Sequence, residues 1–378
     1  MKKLPSLIVV SALTVTAMTS NGCKWTDFDD IQDTTWAVSL QKPSAVSTTG
    51  DWGYGLVSSR GTSGVNNPFL VVGRNDASVA AVNFNANGGE VVLNTVSNPS
   101  KIIGPPVNIG GHPLIAMTAD GAGAAVLAGS TVQFWTGSQF EAIPVTSTIP
   151  NAIAVAITAD VTNIKKVFVG TDMGVSENGA VVPICMTGTK VIAMATSSLG
   201  LLAWQADGTN EIYTAVPTCI KNPVANKFGR PGEGIVVVVE TATIKHAILG
   251  QFGTAGEIFV IDLVTNTLIS STPAPGLSAL AAATMLTKTG SEEVIVAGFK
   301  DTIVEGIPNA GEAKLYFVEG AMITEQGSLF DASPENDQNF GRTVATTELD
   351  GKPVILIGAD DEVFAYFETS LFANSRPK

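Results

Sequence analysis

The chain has 378 residues, a formal charge of −13, 45% hydrophobic residues and only 15% charged residues. That is enough apolar material for one large all-β domain or two ordinary ones. An acidic balance of this size repels phosphate backbones and anionic membrane surfaces, which sets aside nucleic acid and a polybasic membrane patch as partners. Gly at 38 and Pro at 19 call for many turns.

The first segment reads as an export signal. Lys2 and Lys3 form a positive start, and Leu7 to Ala17 is an apolar stretch too short to span a bilayer as a helix. It ends at Ser20-Asn21-Gly22-Cys23, a small residue directly before a cysteine. This resembles a bacterial lipoprotein signal, although Ser20 stands where that pattern prefers Leu. The resemblance implies acylation of Cys23 as the first mature residue, and Lys24 after it implies sorting to the outer membrane. Residues 1–22 are then the signal peptide, and 23–33 an acidic tether carrying Asp27, Asp29, Asp30 and Asp33. Residues 34–372 form the folded domain, and 373–378 a tail.

From there the chain repeats itself. An apolar run that closes on Gly appears as Phe69 to Gly73, Ala125 to Gly129, Val167 to Gly170, Ala247 to Gly250, Val294 to Gly298 and Val354 to Gly358. Leu199 to Trp204 is a weaker copy without the closing Gly. Continuous apolar runs of this length read as strands covered on both faces. A small-residue strand precedes each, as in Ile115-Ala116-Met117, Ala193-Met194-Ala195 and Ala279-Leu280-Ala281. Small side chains suit innermost strands crowded round a narrow channel. Taken alone, Leu277 to Leu286 is alanine-rich enough for a helix, but the repeat assigns it to a strand. Alternating third strands follow at Val79 to Phe84, Val132 to Trp135, Ile258 to Ile261 and Leu315 to Val318. Fourth strands near Glu90, Phe140, Ala180 and Thr267 often end at Pro, which suits an outer edge.

Sheets standing radially round an axis satisfy all of this. The expected fold is all-β, a seven-bladed β-propeller, with six or eight blades as the alternatives. The final stretch, Phe340 to Phe367, supplies only three strands. Thr34 to Leu40 alternates like a strand and is expected to add the missing outer one, closing the ring. Asp301 to Glu312 and Gln326 to Asn339 read as long loops.

Cys185 and Cys219 occur in matching phrases, Val182-Pro183-Ile184-Cys185 and Val216-Pro217-Thr218-Cys219. Equivalent rim positions on neighbouring blades lie farther apart than a disulfide reaches, about 7 Å between Cα atoms. A bridge therefore requires both cysteines to lie in linkers running back toward the axis.

Phe340-Gly341, Leu349-Asp350-Gly351 and Gly358-Ala359-Asp360 stand in the order of an FG-GAP repeat. Phe228-Gly229 with Gly250-Gln251, and Trp52-Gly53 with Gly73-Arg74, are looser copies. The chain thus resembles the integrin-α-type propellers. The resemblance implies a binding module for protein or matrix partners, often with calcium in an acidic loop. Here Glu348 and Asp350 offer two carboxylates beside Lys352, while Asp120, Asp160 and Asn163 are isolated. Calcium wants six to eight oxygens, so these loops read as Asp turns, and no cofactor or metal is expected.

No nucleophile elbow, phosphate loop or zinc spacing is present, and only two histidines, His112 and His246, exist. Both read as structural. The carboxylates Glu292, Glu293, Asp360, Asp361 and Glu362 read as solvated turns rather than a hydrolase pair. Trp25, Trp36, Trp52, Trp135 and Trp204 read as packing anchors, with a sugar platform as the rarer use. The expected function is a non-enzymatic, monomeric envelope lipoprotein whose propeller binds a protein, matrix or polysaccharide partner. It would be anchored in the outer membrane, facing the periplasm or the surface. An outer-membrane assembly propeller, suggested by Gly256 to Thr267, and a glycan-acting propeller enzyme are the alternatives.

Overall fold

Each apolar run identified above becomes the second strand of a four-stranded antiparallel sheet, and seven such sheets form a ring. The computed structural model describes the strands of all seven. It is continuous over 165–177, 184–214, 226–287, 290–331, 333–349, 352–360 and 362–367 and includes 219–220; residues 1–36, 368–378 and the remaining connections lie outside the described residues. The Cys23 lipidation site, the tether, His112, Asp350, Asp361 and the loops of Asp120 and Asp160 therefore lie outside them.

The first strand, β1 (Ala37–Leu40), belongs to the last blade. Blade 1 is β2 to β5 (Trp52–Ser58, Phe69–Arg74, Val79–Asn87, Glu90–Thr95). Blade 2 is β6 to β9 (Leu114–Met117, Ala124–Ala128, Thr131–Trp135, Phe140–Ala142). Blade 3 is β10 to β13 (Ala154–Ala159, Lys165–Gly170, Gly174–Glu177, Cys185–Met186). Blade 4 is β14 to β17 (Val191–Ser197, Gly200–Gln205, Thr209–Tyr213, Asn226–Lys227). Blade 5 is β18 to β21 (Gly234–Glu240, Lys245–Gln251, Glu257–Asp262, Thr267–Pro273). Blade 6 is β22 to β25 (Ala279–Thr287, Gly290–Phe299, Glu312–Glu319, Met322–Leu329). Blade 7 is β26 to β28 (Thr343–Leu349, Lys352–Ala359, Glu362–Phe367), completed by β1 outside β28.

The closing register runs from Ala37 opposite Tyr366 to Leu40 opposite Val363. Innermost strands touch their neighbours all the way round, including β2 against β26. The seven-bladed reading and its N-terminal closure both hold. The helix alternative fails, since Ala279–Thr287 is strand β22. The reading of Gln326 to Asn339 as one loop also needs correction, because β25 extends to Leu329. Gln326 and Ser328 belong to this outermost strand, and the loop begins only after Leu329.

Side-chain alternation explains the continuous apolar runs. On β15, Leu202 and Trp204 enter the core shared with blade 5, while Leu201 and Ala203 enter the one shared with blade 3. On β23, Val294 and Val296 face blade 7, and Ile295 and Ala297 face blade 5. Each fully buried Val, Leu or Ile contributes about 1.5–3 kcal/mol, so these four inter-blade layers are the main source of cohesion among the described blades.

The closing glycines have a steric cause. A Cβ on Gly298 would stand 1.9 Å from the carbonyl oxygen of Gly341, where blade 7 begins. A Cβ on Gly358 would stand 2.5 Å from the carbonyl oxygen of Gly53, where blade 1 begins. At Gly170 the neighbour is Val191 Cγ1 at 2.7 Å. At Gly250 it is the softer end of Leu277, at 3.1 Å. The second strand of one blade thus makes room for the chain arriving in the next.

Cys185 and Cys219 form a disulfide, with Cα atoms 5.6 Å apart. This corrects the expectation that rim positions keep them separate. The two cysteines are not equivalent in space. Cys185 lies in the outermost strand β13, whereas Cys219 lies in the connection between β16 and β17, at φ 53°. Cys219 packs against the core shared by blades 3 and 4.

Two stability predictions follow from these contacts. Closing a loop of separation 34 stabilises by roughly 3–4 kcal/mol on chain-entropy grounds. A reductant, or Cys219→Ser, should lower the denaturant midpoint accordingly, and an unchanged midpoint refutes the contribution. Gly298→Ala should cost about 1–3 kcal/mol by overpacking against backbone, and Gly250→Ala less, because Leu277 can yield. Equal losses in urea melts would contradict the steric account.

Candidate functional site

Antiparallel blades place two kinds of connection on each face of the disc. The upper face carries the second-to-third turns and the blade-to-blade connections; the lower face carries the rest. On the upper face, the two long segments 300–311 and 330–342 lie together over blades 6 and 7.

Main-chain contacts zip them. Asn339 N donates to Asn309 O at 2.8 Å, Phe340 N to Ala310 O at 2.9 Å and Asp337 N to Pro308 O at 3.2 Å. Gly311 and Phe340 form a parallel bridge. Side chains add to this: Asn309 Nδ2 donates to Asp337 Oδ1 at 2.7 Å, and within the second segment Gln338 Nε2 donates to Asp331. Asn309, Asp337 and Asn339 all take left-handed backbone, with φ of 51°, 59° and 55°. Asn and Asp tolerate that region better than other side chains, so they sit where the loops reverse.

The Phe-Gly phrase anchors the assembly. Phe340 is fully buried, with its ring 5.3 Å from Phe364 and edge-on to Tyr366 at 6.2 Å. Gly341 N donates to Gly358 O at 3.1 Å. Arg342 pairs with Asp360, which also accepts from Asn339 Nδ2 at 3.0 Å. The two halves of the FG-GAP-like phrase therefore meet in space. Tyr366 Oη donates to Phe330 O at 3.1 Å, fixing that backbone while the Phe330 side chain stays 45% exposed. Ile303, in the other segment, is 66% exposed. The result is a braced platform that shows two large apolar side chains to solvent.

Asp360, read from sequence as a solvated turn, is instead an ion-pair partner of Arg342. Glu293 is also not solvated. Its side chain is 2% exposed and accepts from His246 Nδ1 at 2.7 Å, joining blades 5 and 6 near the lower face. Its other oxygen, Oε1, has no hydrogen-bond partner among the described residues. The hydrogen bond to Glu293 raises the His246 pKa above its ordinary 6.5, against the opposing effect of burial. His246 thus ties β19 to β23. Trp204 is a buried anchor whose Nε1 donates to Phe228 O at 3.0 Å, tying the second Phe-Gly phrase to blade 4.

Blade 4, the weak repeat, replaces the closing Gly with Gln205. Gln205 Nε2 and Tyr213 Oη both donate to Glu211 Oε2, at 2.9 and 2.6 Å. Burial and the adjacent Glu211 push the Tyr213 hydroxyl far above the usual tyrosine range. Among the described residues, no three His, Cys, Asp or Glu side chains are grouped to hold a metal. The side chains of Glu348, Trp52 and Trp135 lie outside the described residues.

No family model matches the sequence, and no curated protein matches it. Among solved structures, a chain in the crystal structure of the mitotic checkpoint complex is similar over 88% of this chain and 94% of its own. Its identity is 14% and its TM-score 0.54. The C-terminal WD40 domain of Sif2 aligns over 87% of this chain and 97% of its own, at 11% identity and TM-score 0.49. At such identities the first likeness is one of fold, and it agrees with the sheets: the protein is a β-propeller of four-stranded antiparallel blades.

The His246–Glu293 pair makes stability depend on pH. A raised folded pKa means its contribution is full below pH 6.5, the ordinary value, and fades as pH rises through the folded value. The stability gap between the natural chain and His246→Gln should therefore shrink on going from mildly acidic to alkaline buffer. A gap that widens with pH would contradict the pairing.

Proposed function

We propose that this chain is an exported, lipid-anchored binding module of the bacterial envelope, holding a protein or matrix partner on the upper face of its propeller. The observation that carries the reading is the braced pair of segments over blades 6 and 7. They display Phe330 and Ile303 on a base of fixed hydrogen bonds. Exposed apolar side chains held rigidly lose little conformational entropy on binding, which is how interface anchors work.

The address rests on Lys2, Lys3, the apolar stretch and Cys23. The Cys185–Cys219 disulfide supports it independently, since structural disulfides persist in oxidising compartments. The FG-GAP-like kinship rests on Phe340-Gly341 and Gly358-Ala359-Asp360, which the fold brings into contact. A non-catalytic role fits the side chains here, because Asp360 and Glu293 are each committed to a cation or a histidine.

Co-purification from envelope extracts with the intact chain tests the proposal. Phe330→Asp with Ile303→Asp should reduce recovery of bound partner by roughly tenfold or more, the loss expected of an interface anchor, without changing the melting temperature. Cys23→Ser should move the chain out of the membrane fraction. Unchanged recovery would refute the upper-face site, and unchanged fractionation would refute the anchor.

A further inference from the structure

We propose that the platform over blades 6 and 7 takes a cationic partner, a protein segment that presents apolar side chains flanked by Lys or Arg. This rests on the upper-face reading and names the chemistry of what binds there.

Charge is unevenly spread over the described part of the upper face. The connections of blades 3 to 5 carry Asp172, Asp207 and Glu233 against Lys190 and Arg230. Lys227 adds a third cation there by pairing with Asp207. Over blades 6 and 7 that balance breaks. Segments 300–311 and 330–342 hold Asp301, Glu305, Asp331, Glu335 and Asp337 against Lys300 and Arg342. Both of these cations are already taken. Lys300 Nζ lies 3.8 Å from Asp301, and Arg342 pairs with Asp360.

Glu305, Asp331, Glu335 and Asp337 remain, and among the described residues none of them forms an ion pair. The hydrogen bonds that their carboxylates accept come from neutral groups. Asp331 accepts from Ser333 N at 3.2 Å and from Gln338 Nε2. Asp337 accepts from Asn309 Nδ2 at 2.7 Å and from Asn336 Nδ2 at 2.6 Å. Neutral donors hold a carboxylate in place without cancelling its charge.

These charges accompany the two apolar anchors. Asp331 follows Phe330 directly, and Glu305 is two residues from Ile303. Val304 and Ile307 exchange main-chain hydrogen bonds at 3.2 and 2.8 Å, so Glu305 stands with Gly306 at the tip of a closed turn. Asp337 N, donating to Pro308 O, brings the second segment alongside. Glu305, Glu335 and Asp337 are exposed. The carboxylates are spread over the surface rather than converged, since no three are grouped to hold a metal. Apolar anchors with a polar surround are the ordinary anatomy of an interface, and the charge of the surround decides which partner is admitted. Here it admits cations and repels an acidic protein or polysaccharide.

A random dodecapeptide library on phage, panned against the full chain, reads the partner's chemistry directly. Recovered peptides should combine aromatic or aliphatic residues with Lys or Arg. Synthetic copies should bind in fluorescence polarisation, and Glu305→Lys with Glu335→Lys should weaken them by roughly tenfold or more at unchanged melting temperature. Raising salt from about 0.05 M to about 0.5 M should weaken them similarly, because screening acts on exposed charges. Glu319→Lys, at the exposed lower end of β24, should leave binding unchanged, which separates local selection from the overall charge of −13.

Peptides that are lost in Phe330→Asp yet indifferent to the charge reversals and to salt would overturn the cationic assignment and leave the upper-face reading standing. Equal weakening by Glu319→Lys, or binding that requires added calcium, would overturn the assignment as well. Recovery of no peptide, or only of peptides indifferent to Phe330→Asp, would overturn the upper-face reading itself.

Discussion

The ring depends on how one blade receives the next. Where a second strand ends, the chain beginning the following blade lies within contact distance of its backbone. Gly298 faces the Gly341 carbonyl, and Gly358 faces that of Gly53. A methyl group at either place would overlap an oxygen atom. Thr343 Oγ1 adds a hydrogen bond to the same Gly53 carbonyl at 2.7 Å, and Thr346 Oγ1 and Thr196 Oγ1 reach carbonyls of Ala282 and Ile157 on neighbouring inner strands. Small side chains near the axis therefore set the spacing. The larger side chains farther out then fill the wedge between blades.

Polar groups buried in these wedges are paired in most cases. Asn210 Nδ2 donates to Asn266 Oδ1 across blades 4 and 5 at 3.1 Å, and His246 meets Glu293 across blades 5 and 6. Pairs of this kind contribute modest net energy, but a mispaired blade would leave a buried amide or carboxylate without its partner. They favour one angular arrangement of neighbouring blades over others. The upper-face segments follow the same rule at the surface, where Asn and Asp take left-handed backbone and hydrogen-bond one another.

Much of this architecture is legible in residue order. The apolar runs ending in glycine locate six of the second strands and the copy without that glycine locates the seventh, because sheets covered on both faces need apolar residues at each position. The alternating segment before Leu40 locates the closing strand. What escapes is lateral. β12 and β16 are short, and the polar pattern of β16 (Thr209, Asn210, Glu211) hides a strand whose side chains are all buried. The disulfide is obscured by two matching phrases, whose cysteines fall in a strand and in a turn at φ 53°. The platform was only half visible. Phe340-Gly341 marks it, but nothing local says that Asn309 and Asp337, 28 residues apart, share a hydrogen bond.

The pairing of β1 with β28 also governs the order in which the molecule can be made. Ala37 and Tyr366 are separated by nearly the whole domain, so their contact is among the most non-local the chain possesses. Loop-closure entropy has to be overcome before it forms, and contacts of that kind slow folding. Six sheets are assembled from consecutive segments and can form while the remainder is still being delivered. The seventh waits for the last strand, and until then both Ala37–Leu40 and the exposed flank of blade 7 are unpaired edges. Any machinery that delivers the chain progressively must therefore hold an unfinished ring until its final residues arrive.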